Sequence, residues 1–219
     1  MALSLDDLDH ALRPPAAEPA GAIVLLHGPG ATEHDPLALL EVLDPQRRLG
    51  AVCPRGTMNV PGAIGYQWYI DREPGYPQRD TFEQTYAVLD EWLGVFAQRT
   101  GIPPERTVIG GFSQGAAMAW ALVLGQGRPR LGGLLAVSGF IPRVSDFETD
   151  DESLKGLPVA ICHGENDPKV PIGHAHTARD RAQEAGADLF YRESDVPHIL
   201  DPRVIPDLAG WLAELPRAS

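Results

Sequence analysis

With 219 residues, 43% of them hydrophobic and 22% charged, the chain suits one α/β domain with a sizeable buried core and leaves no room for a second catalytic domain. A formal charge of -12 excludes an electrostatic grip on nucleic acid or anionic lipid, since both need clustered Lys and Arg. The expected organisation is a single domain over 1–219 with an N-terminal lead over 1–20.

Residues Met1 to Leu12 carry Asp6, Asp7 and Asp9 in place of the cationic start of a secretion signal. A proline-rich stretch follows, from Arg13-Pro14-Pro15 to Pro19. Ala22 to Leu26 is then a continuous apolar run broken by His27-Gly28-Pro29-Gly30, the pattern of a buried strand entering a loop. Such runs are far shorter than the roughly 20 residues that cross a bilayer. The expectation is a cytoplasmic protein without membrane insertion.

Ala51-Val52-Cys53, Thr107-Val108-Ile109, Leu134 to Val137, Val159 to Cys162 and Leu189-Phe190-Tyr191 repeat the strand pattern. Between them, Phe82, Tyr86, Leu89, Leu93 and Phe96 recur at helical spacing, with Gly101 and Pro103 as stop signals. Gln114 to Leu124, Gly173 to Ala185 and Arg203 to Leu215 read as further helices, the last turning Val204, Leu208, Leu212 and Leu215 inward. Strands alternating with crossover helices give an α/β fold, a mostly parallel sheet covered on both faces. Its active site belongs at the carboxyl ends of the strands. Cys53 and Cys162 lie in apolar strands and are expected to be reduced and buried. The acidic stretch Ser145 to Glu152 reads as a solvated loop.

The chemistry concentrates in Gly111-Phe112-Ser113-Gln114-Gly115, which follows a strand and opens a helix rich in small residues. Gly-x-Ser-x-Gly in this context is a nucleophile elbow: Ser113 sits on a strained turn, and the helix start points free amides at developing negative charge. A serine needs a base, and His198 follows the last strand in Asp195-Val196-Pro197-His198. His174 and His176 are two apart at a helix start, so they face different ways and read as surface residues. Asp167, just past a buried strand in His163-Gly164-Glu165-Asn166-Asp167, is placed to orient His198. Glu165 is the rival acid and reads as an exposed loop carboxylate. The order Ser, Asp, His is that of α/β-hydrolase triads.

Charge on the oxyanion must be met by amides. The Gln114 backbone N–H is one donor. The second should come from the loop after Leu26, where the position following His27-Gly28 is Pro29, which has no N–H. Either Gly30 substitutes or catalysis is weaker than the triad suggests.

Leu26-His27-Gly28-x-Gly30, Pro54-Arg55-Gly56, Gln67-Trp68-Tyr69, Gly111 to Gly115, Ser138-Gly139, His163-Gly164-x-x-Asp167 and His198 together resemble the phospholipase/carboxylesterase family, to which acyl-protein thioesterases belong. The resemblance spans roughly Ala22 to Leu215. It implies an α/β-hydrolase without a large cap domain, with Ser113, Asp167 and His198 as triad and Gln114 as oxyanion donor. It also implies a substrate pocket near Trp68. Packing at the core edge is the other reading of Gly65 to Asp71; as a pocket, the substrate-binding residues are Pro29, Trp68 and Tyr69. The chain departs from the family at Pro29 and at Val196-Pro197 before His198.

The expected activity is hydrolysis of short- to medium-chain carboxylic esters through an acyl-enzyme. Acyl-protein thioesterase and lysophospholipase activities are the alternatives, and a hydrolase-like binding protein is the reading from another class, favoured by Pro29. The expected partner is a small ester or thioester, with a homodimer compatible with an exposed apolar helix face. The chemistry calls for no metal and no other cofactor.

Overall fold

A computed structural model describes residues 4–216; Met1 to Leu3 of the expected lead lie outside the described residues. Eleven strands appear in it: β1 (His10–Arg13), β2 (Gly21–Leu26), β3 (Leu49–Pro54), β4 (Met58–Asn59), β5 (Tyr66–Gln67), β6 (Asp71–Glu73), β7 (Tyr76–Pro77), β8 (Thr107–Phe112), β9 (Gly133–Val137), β10 (Pro158–Gly164) and β11 (Asp188–Ser194). The helices are α1 (Asp35–Leu43), α2 (Arg79–Thr100), α3 (Gln114–Leu124), α4 (Gly173–Glu184) and α5 (Ile205–Ala213).

Seven strands form one sheet in the order β1-β3-β2-β8-β9-β10-β11. All neighbours are parallel except β1, which runs antiparallel to β3. The six strands expected from apolar runs are the six parallel ones. Strands β2, β8, β9 and β10 carry near-continuous buried residues because both faces of a parallel sheet are covered by helices. One apolar cluster includes Val24, Ile109, Leu134, Trp92, Phe82 and Ala116 to Leu124 of α3; the other joins Ile23, Leu25, Leu135 and Val137 to α1 and α5.

The expected lead is partly a strand. His10–Arg13 alternates exposed and buried positions along the sheet edge, a four-residue pattern hidden beside the prolines. Arg13 is buried and its guanidinium pairs with Asp44 at 2.6 Å, also donating to the Leu40 and Asp44 carbonyls. Asp44 in turn accepts from the Arg48 and Leu49 amides. These bonds tie the edge strand to the end of α1.

Helix α2 buries Phe82, Leu89, Trp92, Leu93 and Phe96 on one stripe and stops at Gly101, whose φ of 69° is left-handed. The last expected helix is a short 3-10 turn, Pro202–Val204, leading into α5, with Val204, Leu208, Leu212 and Leu215 buried. Cys53 and Cys162 are free and buried, and burial pushes both thiols up to about 12. Among the described residues, no helix is long and apolar enough to cross a membrane.

Candidate active site

Ser113 lies between β8 and α3 at φ 55°, ψ -117°, a conformation that costs a non-glycine residue roughly 1–3 kcal/mol and persists only where the surroundings impose it. The surroundings are two glycines. A Cβ on Gly111 would sit 2.5 Å from the Gly115 carbonyl carbon, and one on Gly115 would sit 2.2 Å from the Leu26 oxygen. Strand and helix therefore pass closely enough to hold the turn. Ser113 is anchored by its amide, which donates to the Val137 carbonyl at 2.9 Å, and its side chain keeps a small exposed edge. Gln114 is the first residue of α3, so its N–H has no carbonyl four residues back to bond within the helix.

Asp167 stands in the loop after β10. One carboxylate oxygen accepts the Lys169 and Val170 amides, each at 2.8 Å, and the other accepts His198 Nδ1 at 2.5 Å. Burial acts to raise the Asp167 carboxyl, but the bonds from Val170, His198 and Lys169 outweigh it and hold the group below the ordinary carboxylate range. With Nδ1 engaged, Nε2 of His198 is the nitrogen left for chemistry. The His198 ring lies over Phe112, centroids 4.8 Å apart, next to Ser113 in the chain. Gly164 makes that approach possible: a Cβ there would lie 2.3 Å from both the Val196 and Pro197 oxygens.

His163 is a contributor that sequence reasoning passed over. Its Nε2 bonds the Val170 carbonyl at 2.8 Å and lies 3.5 Å from Asp167, so it closes the loop that presents the carboxylate. Burial lowers its pKa, which keeps the ring neutral. The motif His-Gly-x-x-Asp contained the signal, since a histidine four residues before an acid can bridge one turn of loop. His174 and His176 do diverge: His174 packs on Phe140, and His176 bonds Glu193 at 2.8 Å.

Three residues expected at the pocket or the oxyanion hole make other contacts in the fold. Trp68 and Tyr69 are fully buried within the apolar core, so they pack rather than line an open substrate pocket. Trp68 Nε1 donates to the His27 carbonyl at 2.8 Å, and Tyr69 stacks edge-on against Phe82. Gly30 is not a free oxyanion donor: its N–H donates to the Tyr66 carbonyl at 2.9 Å, because the loop pairs with β5 there. The Ala31 amide is likewise engaged by the Gly28 carbonyl. Pro29 is exposed.

The Gln114 side chain has a role the motif did not reveal. Its Oε1 accepts the Trp68 amide at 2.7 Å, while Nε2 donates to the Tyr69 carbonyl at 2.8 Å and to Asp71 at 3.1 Å. The residue beside the candidate nucleophile thus clamps the 68–71 segment. Loss of hydration raises the Asp71 carboxyl to about 6, only partly offset by the Gln114 bond. On the other side of His27, Arg55 pairs with Glu33 through two bonds of 2.7 and 2.5 Å and with Asp9 at 2.5 Å, holding Glu33 down to about 2. His27 Nε2 accepts the Gly56 amide at 2.9 Å, which fixes the loop's start.

A parallel sheet with a strained serine at a strand-to-helix turn, and a paired Asp and His at two further strand ends, defines a protein of the α/β-hydrolase class. The Phospholipase/Carboxylesterase family model matches residues 9–214. The chain belongs to that family. It is 35% identical over 117 residues to acyl-protein thioesterase 1 of Saccharomyces cerevisiae, a match covering 51% of each chain. The chain thus spans about half the length of that relative. It is 29% identical over 208 residues to acyl-protein thioesterase 1 of Neurospora crassa, covering 83% of this chain and 82% of the relative. Among solved structures, the Bacillus cereus carboxylesterase superposes with a TM-score of 0.82 over 94% of both chains at 21% identity, a likeness of fold.

Proposed function

We propose that the protein hydrolyses carboxylic esters of short to medium acyl chains by two-step acyl transfer. Ser113 Oγ attacks the carbonyl carbon while His198 Nε2 takes its proton; the tetrahedral oxyanion faces the Gln114 N–H at the start of α3. Collapse breaks the C–O bond, and the proton on His198 passes to the departing alcohol. Water then attacks the acyl-enzyme with His198 again as base, and Asp167 holds the ring and stabilises its charged form. The observation that carries the reading is the 2.5 Å bond from His198 Nδ1 to one oxygen of Asp167, whose other oxygen is held by two amides, which leaves Nε2 for the serine.

The same machinery accepts a thioester, because only the leaving atom changes, and the names of the fungal relatives favour testing one. The experiment is hydrolysis of a nitrophenyl ester series and of acyl thioesters by purified protein, with Ser113→Ala as control. Turnover abolished in the control, with fluorophosphonate labelling confined to the wild type, is the expected result. Equal rates for the two proteins on every substrate would refute it.

A further inference from the structure

A cleft of about 350 Å³ opens beside the candidate site on the face of the sheet covered by α1 and α5. Gly28, Pro36, Leu39, Phe112, Val137 and Leu200 form its walls, so the surface is apolar. Asp35 stands among the lining residues but is exposed, its carboxylate accepting from the Thr32 amide at 2.9 Å and the Thr32 hydroxyl at 2.7 Å. The cleft falls within the roughly 300–1,000 Å³ range of small-molecule pockets. It is separate from the buried Trp68 and Tyr69, which pack in the apolar cluster on the opposite face.

Its position relative to His198 says which part of a substrate it takes. His198 must hand its proton to the leaving oxygen, so the leaving group extends toward the histidine side of the serine. The His198 ring lies on Phe112, which forms one wall, and Leu200, two residues further along the chain, forms another. Gly28 keeps the passage open, since a Cβ there would meet the Phe112 ring at 3.0 Å.

We propose that this cleft binds the apolar alcohol portion of the ester, making the enzyme selective for the leaving group through Leu39, Phe112 and Leu200. This rests on Ser113 and His198 acting as described above. During acylation the Ser113 Oγ–acyl bond forms, the acyl–O bond to the alcohol breaks, and the alcohol leaves from the cleft carrying the His198 proton.

Two substrate series separate the sides of the site: acetates of alcohols lengthening from methyl to butyl, and nitrophenyl esters of lengthening acyl chains. In the wild type, kcat/KM is expected to rise roughly fourfold per methylene along the alcohol series, the scale set by burying a CH₂ group. Leu39→Trp fills the cleft and is expected to flatten that series to within about twofold while leaving the acyl series with its original slope. Leu39→Ala, which enlarges the cleft, should move the optimum toward bulkier alcohols, and it decides the matter if the tryptophan variant does not fold by circular dichroism. An unchanged alcohol slope in a folded variant, or a change confined to the acyl series, would overturn the assignment while leaving the hydrolase intact. Failure to cleave any ester above the Ser113→Ala control takes down both readings.

Discussion

Replacing Asp167 by Asn isolates what the carboxylate does for His198. In the wild type one oxygen accepts two backbone amides at 2.8 Å and the other accepts His198 Nδ1 at 2.5 Å. Asparagine has a single oxygen, and the two amides claim it. Its NH₂ group then faces Nδ1 and can only donate. The imidazole must accept at Nδ1 and carry its proton on Nε2, the nitrogen that takes the serine proton in the proposed mechanism. In Ser-His-Asp triads this wrong tautomer costs about 10⁴ in kcat, or roughly 5.5 kcal/mol at about 1.4 kcal/mol per tenfold. Backbone bonds are kept, so the thermal midpoint should move by only a few degrees. The assay is kcat on a nitrophenyl acetate together with the fluorophosphonate labelling rate, with Glu165→Gln as an exposed-loop control expected within about twofold of wild type. A folded Asp167→Asn protein losing less than tenfold in both measurements would refute the reasoning.

Pro29→Leu adds an N–H to a loop in which the Gly30 and Ala31 amides are already engaged. If the oxyanion faces that position, kcat rises about tenfold or more, since one such donor is typically worth 100- to 1000-fold; an unchanged kcat on the same ester places the second donor elsewhere. Asp71 has its folded pKa raised to about 6 from 3.8 by burial, so its contribution favours folding at pH below about 4 and is lost as pH rises through 6. Asp71→Asn should therefore melt higher than wild type at pH 8 and equally at pH 4; equal shifts at both would contradict the assignment. Arg13→Met leaves Asp44 buried without its cation, an effect worth about 3–5 kcal/mol, reduced by the two amides Asp44 still accepts. Urea unfolding should show the loss, and Asp44→Leu in the same chain should recover part of it.

Most of the six parallel strands and the helices over 79–100, 114–124 and 205–213 were legible in the sequence because they bury an apolar run or stripe, whereas β11 is only half-buried and the helix over 173–184 buries three alanines alone. The elbow was legible for a similar reason: Gly111 and Gly115 are demanded by backbone contacts below 3 Å, and no other residue fits them. Order along the chain sufficed to pair Asp167 with His198, since parallel strands bring their carboxyl ends to one edge. Short elements were not legible. The edge strand His10–Arg13 and the two hairpins over 58–77 are too brief for periodicity, and α1 carries no clean stripe.

Tertiary structure decided the rest, wherever a group's role depends on a partner distant in the chain. The Gly30 amide meets the Tyr66 carbonyl across 36 residues of chain, and the buried Trp68 donates its amide to the Gln114 side chain 46 residues away. The apolar cleft beside Phe112 is assembled from α1, three strands and the loop after His198, and no single segment encodes it. A residue's chemistry is written in its type, but whether its donor is free, or its side chain exposed, is fixed by what the fold sets against it.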